Sequence, residues 1–283
     1  MKIEEFRASN VWSEVRRRLD AAYSKWPQLI DHYGQVAAVE RRIAGHKWSD
    51  DQVFEALLRA VLSSNTDWDR VESVLPELRD AFRDFSLGAY AAISDTEVDQ
   101  RLVPWFKARK AGSVSLKKNL KYLAKAARKL IAYSASSGSA ERYFLDAVND
   151  SGGDAKRAAI ALGTLGSTWK LPALGISIAA ESLRNMGFDI CKPSGHICRA
   201  VGSFGLVQFR RWPDRSGTKA PAAHTLEMLE TMETIETLAA NLGLKAVLLD
   251  NALWLICARN REVNIGMSNA DLAAMASQAG HTL

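Results

Sequence analysis

The feature that most constrains this chain is the spacing of its apolar residues, which recur three and four positions apart. Phe54, Leu57, Leu58, Val61 and Leu62 lie on one stripe of a helix. Leu116, Leu120, Leu123, Ala127 and Leu130 repeat the pattern. Leu226, Leu229, Met232 and Ile235 do so again, with Glu227, Glu230, Glu233 and Glu236 on the wet faces. No alternating, strand-like run bounded by turn residues stands out. The expected fold class is therefore all-α. Breaks fall at 45–51, 134–138, 151–153 and 210–220, and the last, with Pro213, Gly217, Arg210, Arg211, Arg215 and Lys219, reads as an exposed basic loop.

The 283 residues allow one large domain or two modest ones, and 47% hydrophobic with 24% charged residues suits a globular core. A net charge of +5 favours a polyanionic partner without requiring one. The stretch 107–129 holds nine basic residues and no acidic one, which points to an anion-facing surface or to lysines solvating the outer face of a helix. Three cysteines, Cys191, Cys198 and Cys257, argue for a reducing compartment and against a disulfide framework. They also lack the fourth thiol of a zinc or iron–sulfur site, so no metal and no cofactor is expected. The N-terminus has no apolar core of signal-peptide length, and Asp250 and Asn251 interrupt the most apolar stretch, 245–258. A cytoplasmic chain with no membrane span is the expectation.

Between 158 and 186 the sequence reads as helix, turn, helix. The turn is Leu171-Pro172-Ala173-Leu174-Gly175, and Gly187 suits the C-terminal cap of the second helix. Pro172 would end the first element, and Gly175 permits backbone angles that other residues resist. Successive N–H groups at the positive end of the second helix would then welcome a phosphate oxygen. Lys170 and Arg184 would add charge and Ser177 a hydroxyl. A plain helical corner packed on the core is the other reading of such a turn.

About twenty residues on comes the stretch Lys192-Pro193-Ser194-Gly195-His196-Ile197-Cys198-Arg199, then Gly202 and Phe204-Gly205-Leu206-Val207. A hairpin followed at this distance by His-x-x-Arg and Gly-Leu resembles the helix-hairpin-helix DNA glycosylase superfamily, which includes endonuclease III and the bacterial 3-methyladenine glycosylases. Upstream, Phe54 to Thr66 is similar to the family's early helix, and Lys110-Ala111 to its Lys-Ala segment. The resemblance, covering roughly 50–207, implies two helical subdomains, 50–187 as a barrel ending in the hairpin and 1–49 plus 188–283 as the second. It implies a monomer that binds double-stranded, damaged DNA and extrudes a nucleotide. Lys170 to Gly175, Ser177, His196, Arg199 and Asn65 would contact the DNA, and Trp68 and Trp105 would line the base pocket.

The chain departs from the family where its chemistry is carried. Cleavage of the glycosidic bond passes through a cation-like sugar that a carboxylate stabilises. The family's aspartate position is occupied by Ser194, with Asp189 the nearest substitute. The lysine of strand-cleaving members falls at Ser177, so a monofunctional hydrolase of base excision repair, acting on alkylated purines, is implied. The hairpin's first glycine is Ala173, and Asn65 replaces the usual glutamine. Three readings stay open: an active glycosylase, a DNA-binding protein with lost or altered chemistry, and an unrelated helical module.

Overall fold

The computed structural model describes residues 8–64 and 68–281, and these residues form helices and loops with no strand. The chain divides into two compact units, one holding the chain up to Glu40 and from Gly187 onward, the other Arg41–Met186. Among the described residues no single helix is long and apolar enough to cross a membrane.

In the unit Arg41–Met186 the central element is Asp50–Leu62, whose Val53, Phe54, Ala56, Leu57, Leu58, Ala60, Val61 and Leu62 are all buried. It starts with a capping box in which Ser49 Oγ accepts the Gln52 N–H and Gln52 Oε1 accepts the Ser49 N–H. The next two residues organise the neighbours. Asp50 Oδ1 accepts the Ala140 N–H at 2.7 Å and Asp51 Oδ1 accepts the Leu87 N–H at 2.9 Å. Two carboxylates at one helix N-terminus thus also hold the first turns of two others, where negative charge is favourable. Phe54 packs on Tyr90 at 4.7 Å between ring centroids, and Tyr90 donates its hydroxyl to Leu120 O.

The helix Leu116–Ser137 buries Leu116, Leu120, Leu123, Ala127 and Leu130, the stripe its spacing predicts, and ends at Gly138 with φ 90°. Several basic residues of this helix and of the segment before it have protein partners. Lys117 and Lys121 pair with Asp99 at 3.0 Å, Arg109 with Glu77 at 2.6 Å, and Arg128 donates to Ala91 O. Much of the 107–129 run is therefore matched by acids and carbonyls, while Lys107, Lys110, Lys118 and Lys125 stay exposed, the last two beside Tyr122.

In the other unit, Ala246–Cys257 is buried nearly all round, which hides its period in the sequence. The two polar residues that interrupt its apolar run are buried and bonded: Asp250 Oδ2 accepts the Lys192 N–H at 2.7 Å, and Asn251 Nδ2 donates to Gln35 Oε1 at 3.0 Å. Thr225–Asn241 departs from expectation at its start. Leu226 is 72% exposed, whereas Glu227 is buried. The reason is the cap: Glu227 Oε2 accepts the His224 N–H and Oε1 accepts the Arg210 N–H, so the carboxylate turns inward and Leu226 outward.

Ala155–Gly163 and Ile176–Asn185 touch backbone to backbone. A Cβ on Gly163 would lie 2.5 Å from Ile176 N and 2.8 Å from Gly175 C. Replacing Gly163 by Ala forces main chain apart, and we expect urea unfolding to show a loss of about 3 kcal/mol. Gly88, on an open helix face with nothing within 4 Å, is the control: Gly88→Ala is expected to stabilise by up to ~1 kcal/mol.

Candidate nucleic-acid interface

The turn between these two helices is built from inside. Leu171 and Leu174 are buried anchors, while Pro172 and Ala173 are half-buried and Gly175 is exposed. Leu171 N–H donates to Leu162 O at 3.1 Å and Leu174 N–H to Leu171 O at 3.3 Å. Ala173 holds φ 70°, the left-handed conformation that costs a residue with a Cβ roughly 1–2 kcal/mol. The backbone here takes the angle a glycine would serve.

The carbonyls leading into the turn face side chains of the same unit. Tyr143 donates its hydroxyl to Trp169 O at 2.7 Å, and the Lys129 ammonium donates to Lys170 O at 2.9 Å and to Thr168 O at 3.3 Å. Lys170 donates to Gly163 O at 2.8 Å and to Leu174 O. Burial pulls both lysines below the ordinary lysine pKa. Lys170, expected to meet phosphate, is instead the clasp of the turn, because two carbonyls stranded by the tight reversal need a donor.

The turn also presents donors. Gly175 is the N-cap of the ten-residue helix Ile176–Asn185 and brings no side chain to cap it. Among the described residues, no acceptor is bonded to the N–H groups of Ala173, Gly175, Ile176 or Ile178. They stand at the positive end of the helix. Ser177 is half-buried in the first turn. Arg184 lies buried and pairs with Glu181 at 2.9 Å, so the charge expected from it is turned inward.

The segment around position 194 departs further from expectation. Ser194 is the N-cap of Gly195–Ser203, its Oγ accepting the Ile197 N–H at 3.4 Å. Asp189 Oδ1 accepts the Val247 N–H at 3.0 Å in the first turn of Ala246–Cys257, so this carboxylate caps a helix. Arg199 is 2% exposed and is not a DNA contact. Its guanidinium donates to Asn269 Oδ1 at 2.7 Å, to Cys257 O at 3.4 Å and to Met267 O. Asn269 passes this brace on, donating from Nδ2 to Asp214 O and Lys219 O. The arginine belongs to the run Ile197 to Val201, which is buried on every side of its helix and is legible in the sequence only as part of a His-x-x-Arg string.

His196 packs edge-on against Trp254 with ring centroids 6.4 Å apart, and its buried Nδ1 has no hydrogen-bond partner. Burial, reinforced by the charges of Arg199 and Lys192, holds its pKa down to about 4. It is neutral at pH 7 and brings no positive charge to a phosphate.

Of the two proposed pocket aromatics, Trp68 is half-buried in Trp68–Glu72. Trp105 is half-buried too, and its face is covered by the Arg109 guanidinium 4.2 Å from the ring centroid. A base cannot stack on that face while the arginine lies there. Asn65, expected at the gap left by an extruded base, lies outside the described residues. No protein-family model, no curated protein and no solved structure matches the chain.

The His196 environment has a pH signature. Its folded pKa of about 4 lies below the ordinary 6.5, so between those values the unfolded chain holds a proton that the folded chain does not. Stability is then fully present above about pH 6.5 and is lost as the pH falls towards 4. A His196→Phe variant should flatten that decline by roughly 1–3 kcal/mol in urea titrations across the window.

Proposed function

We propose that this chain is a DNA-binding protein of the helix-hairpin-helix glycosylase kind, gripping the backbone of duplex DNA through the turn 171–175. The observation that carries the reading is the set of N–H groups of Ala173, Gly175, Ile176 and Ile178 without an acceptor among the described residues, at a helix N-terminus whose turn is anchored by the buried Leu171 and Leu174. A phosphate there needs no side-chain cation, because the helix dipole and aligned amides favour an anion. Contacts of this type fix register on the duplex without reading base sequence. On this reading 41–186 is the hairpin-bearing helical subdomain, and the second unit carries the segment that would act on an extruded base.

Base removal is the second reading, favoured by the place of Ser194. It caps a helix beside Lys192, whose N–H is held by the buried Asp250. A carboxylate at 194 would accept the same N–H bond and bring negative charge to the family's catalytic position. Asp189 already caps Ala246–Cys257, so the chain as it stands is better suited to binding than to hydrolysis. Excision of alkylated purines, if present, would proceed by hydrolysis without strand cleavage, since Ser177 cannot form a Schiff base.

Ala173 offers a clean test, because Asn and Asp both tolerate a left-handed angle. Ala173→Asp places a carboxylate at the proposed phosphate site and should weaken duplex binding at low salt at least about tenfold, or ~1.4 kcal/mol. Ala173→Asn should bind like the wild type. Equal affinities for all three proteins by fluorescence anisotropy would sink the hairpin reading. Incubation with duplexes carrying single alkylated bases tests the chemistry: Ser194→Asp is expected to release base above the wild-type level, and no gain would remove position 194 from consideration.

A further inference from the structure

The loop 210–220 is a built element rather than a slack connection. Trp212 donates its indole N–H to Lys219 O at 3.0 Å, and the Ala222 N–H donates to Arg211 O at 2.9 Å. Asp214 Oδ1 accepts the N–H groups of Ser216 and Gly217 at 2.9 Å, which holds its carboxyl below the usual range. The Asn269 N–H donates to Gly217 O, and Asn269 Nδ2 to Asp214 O and Lys219 O. Asn269 is in turn held by the buried Arg199. Gly202 makes room beneath: a Cβ there would lie 2.6 Å from the Trp212 ring and 2.9 Å from that of Phe209.

This frame holds up an array of cations. Arg210, Arg211, Arg215 and Lys219 are all exposed, and among the described residues none of them forms an ion pair. Arg215 lies over the Trp212 ring at 5.2 Å. The one acid within the loop, Asp214, has its Oδ1 turned to the loop's own N–H groups. Lys121, Arg109 and Arg199 elsewhere in the chain are paired or buried, whereas these four cations stand open within one short loop. The core of a protein–protein interface is poor in charge, whereas guanidinium forks on a fixed frame match phosphate oxygens.

We infer that the loop Arg210 to Lys219 is a second contact with the DNA phosphate backbone, made by the unit that lacks the hairpin; this rests on the reading that the chain binds duplex DNA. The contact is independent of base sequence, and the Arg199–Asn269 brace preorganises it.

The test is a variant with Arg210, Arg211, Arg215 and Lys219 each replaced by Gln, which removes charge from exposed side chains only. Duplex affinity is measured by anisotropy over about 50 to 200 mM KCl, alongside Ala173→Asp, with circular dichroism melts to verify folding. Each phosphate contact adds about 0.9 to the slope of log K against log salt. The loop variant should lose about 2–4 of that slope and at least ~10-fold in low-salt affinity, equally for unrelated sequences. An unchanged slope with an Ala173→Asp that still binds weakly overturns the loop contact and leaves the hairpin reading standing. A loop variant that loses affinity while Ala173→Asp does not supports the loop and overturns the hairpin. Wild-type protein that ignores DNA but binds vesicles of anionic phospholipid through these cations overturns both.

Discussion

The turn at 171–175 is set beside a close backbone contact at Gly163. With Ile176 N 2.5 Å from where a Cβ would stand, no side chain fits, and the two helices approach as closely as main chain allows. Between them Ala173 takes a left-handed angle, and Lys170 takes up the carbonyls of Gly163 and Leu174. The N–H groups of Ala173, Gly175, Ile176 and Ile178 are left without an acceptor among the described residues.

Buried or half-buried cations recur as internal cross-links. Lys129 and Lys170 bind carbonyls around the turn, and Arg199 ties Cys257, Met267 and Asn269 together. Arg42 donates to Met186 O at 2.6 Å and to Glu141 at 2.9 Å, while its guanidinium stacks on Trp48 at 4.7 Å. Helices expose carbonyls at their C-termini, and loops expose them wherever the chain turns. A long cationic side chain with several donors reaches these acceptors from a neighbouring element. Positive charge in such a fold is thus a poor guide to an anion site until its partners are known. Among the basic residues noted in the sequence, Arg210, Arg211, Arg215 and Lys219 keep their charge in the open, as do Lys107, Lys110, Lys118 and Lys125.

The helices were legible because their stripes sit on one face, as in Leu116–Ser137. Legibility failed where a polar group folds inward. Glu227 looked solvated and is buried as a cap, and the Asp250 and Asn251 interruption marks buried hydrogen bonds rather than a wet face. Periodicity reports side-chain polarity; it carries no information about which distant N–H will come to meet a carboxylate.

The sequence alone determined that this chain is helical and that a tight turn with a proline and a glycine joins two helices near 171–175. Those are local properties, set by apolar spacing and by the backbone angles each residue tolerates. Only the tertiary structure decided which charges are free. Lys170, Arg184 and Arg199 lie in the stretches first read as DNA-facing, yet each is turned to protein by acceptors from 3 to 70 residues away. An ammonium or guanidinium takes a desolvated acceptor within reach, whether on its own helix as for Arg184 or from a distant element as for Arg199, and burial of that acceptor is settled by packing.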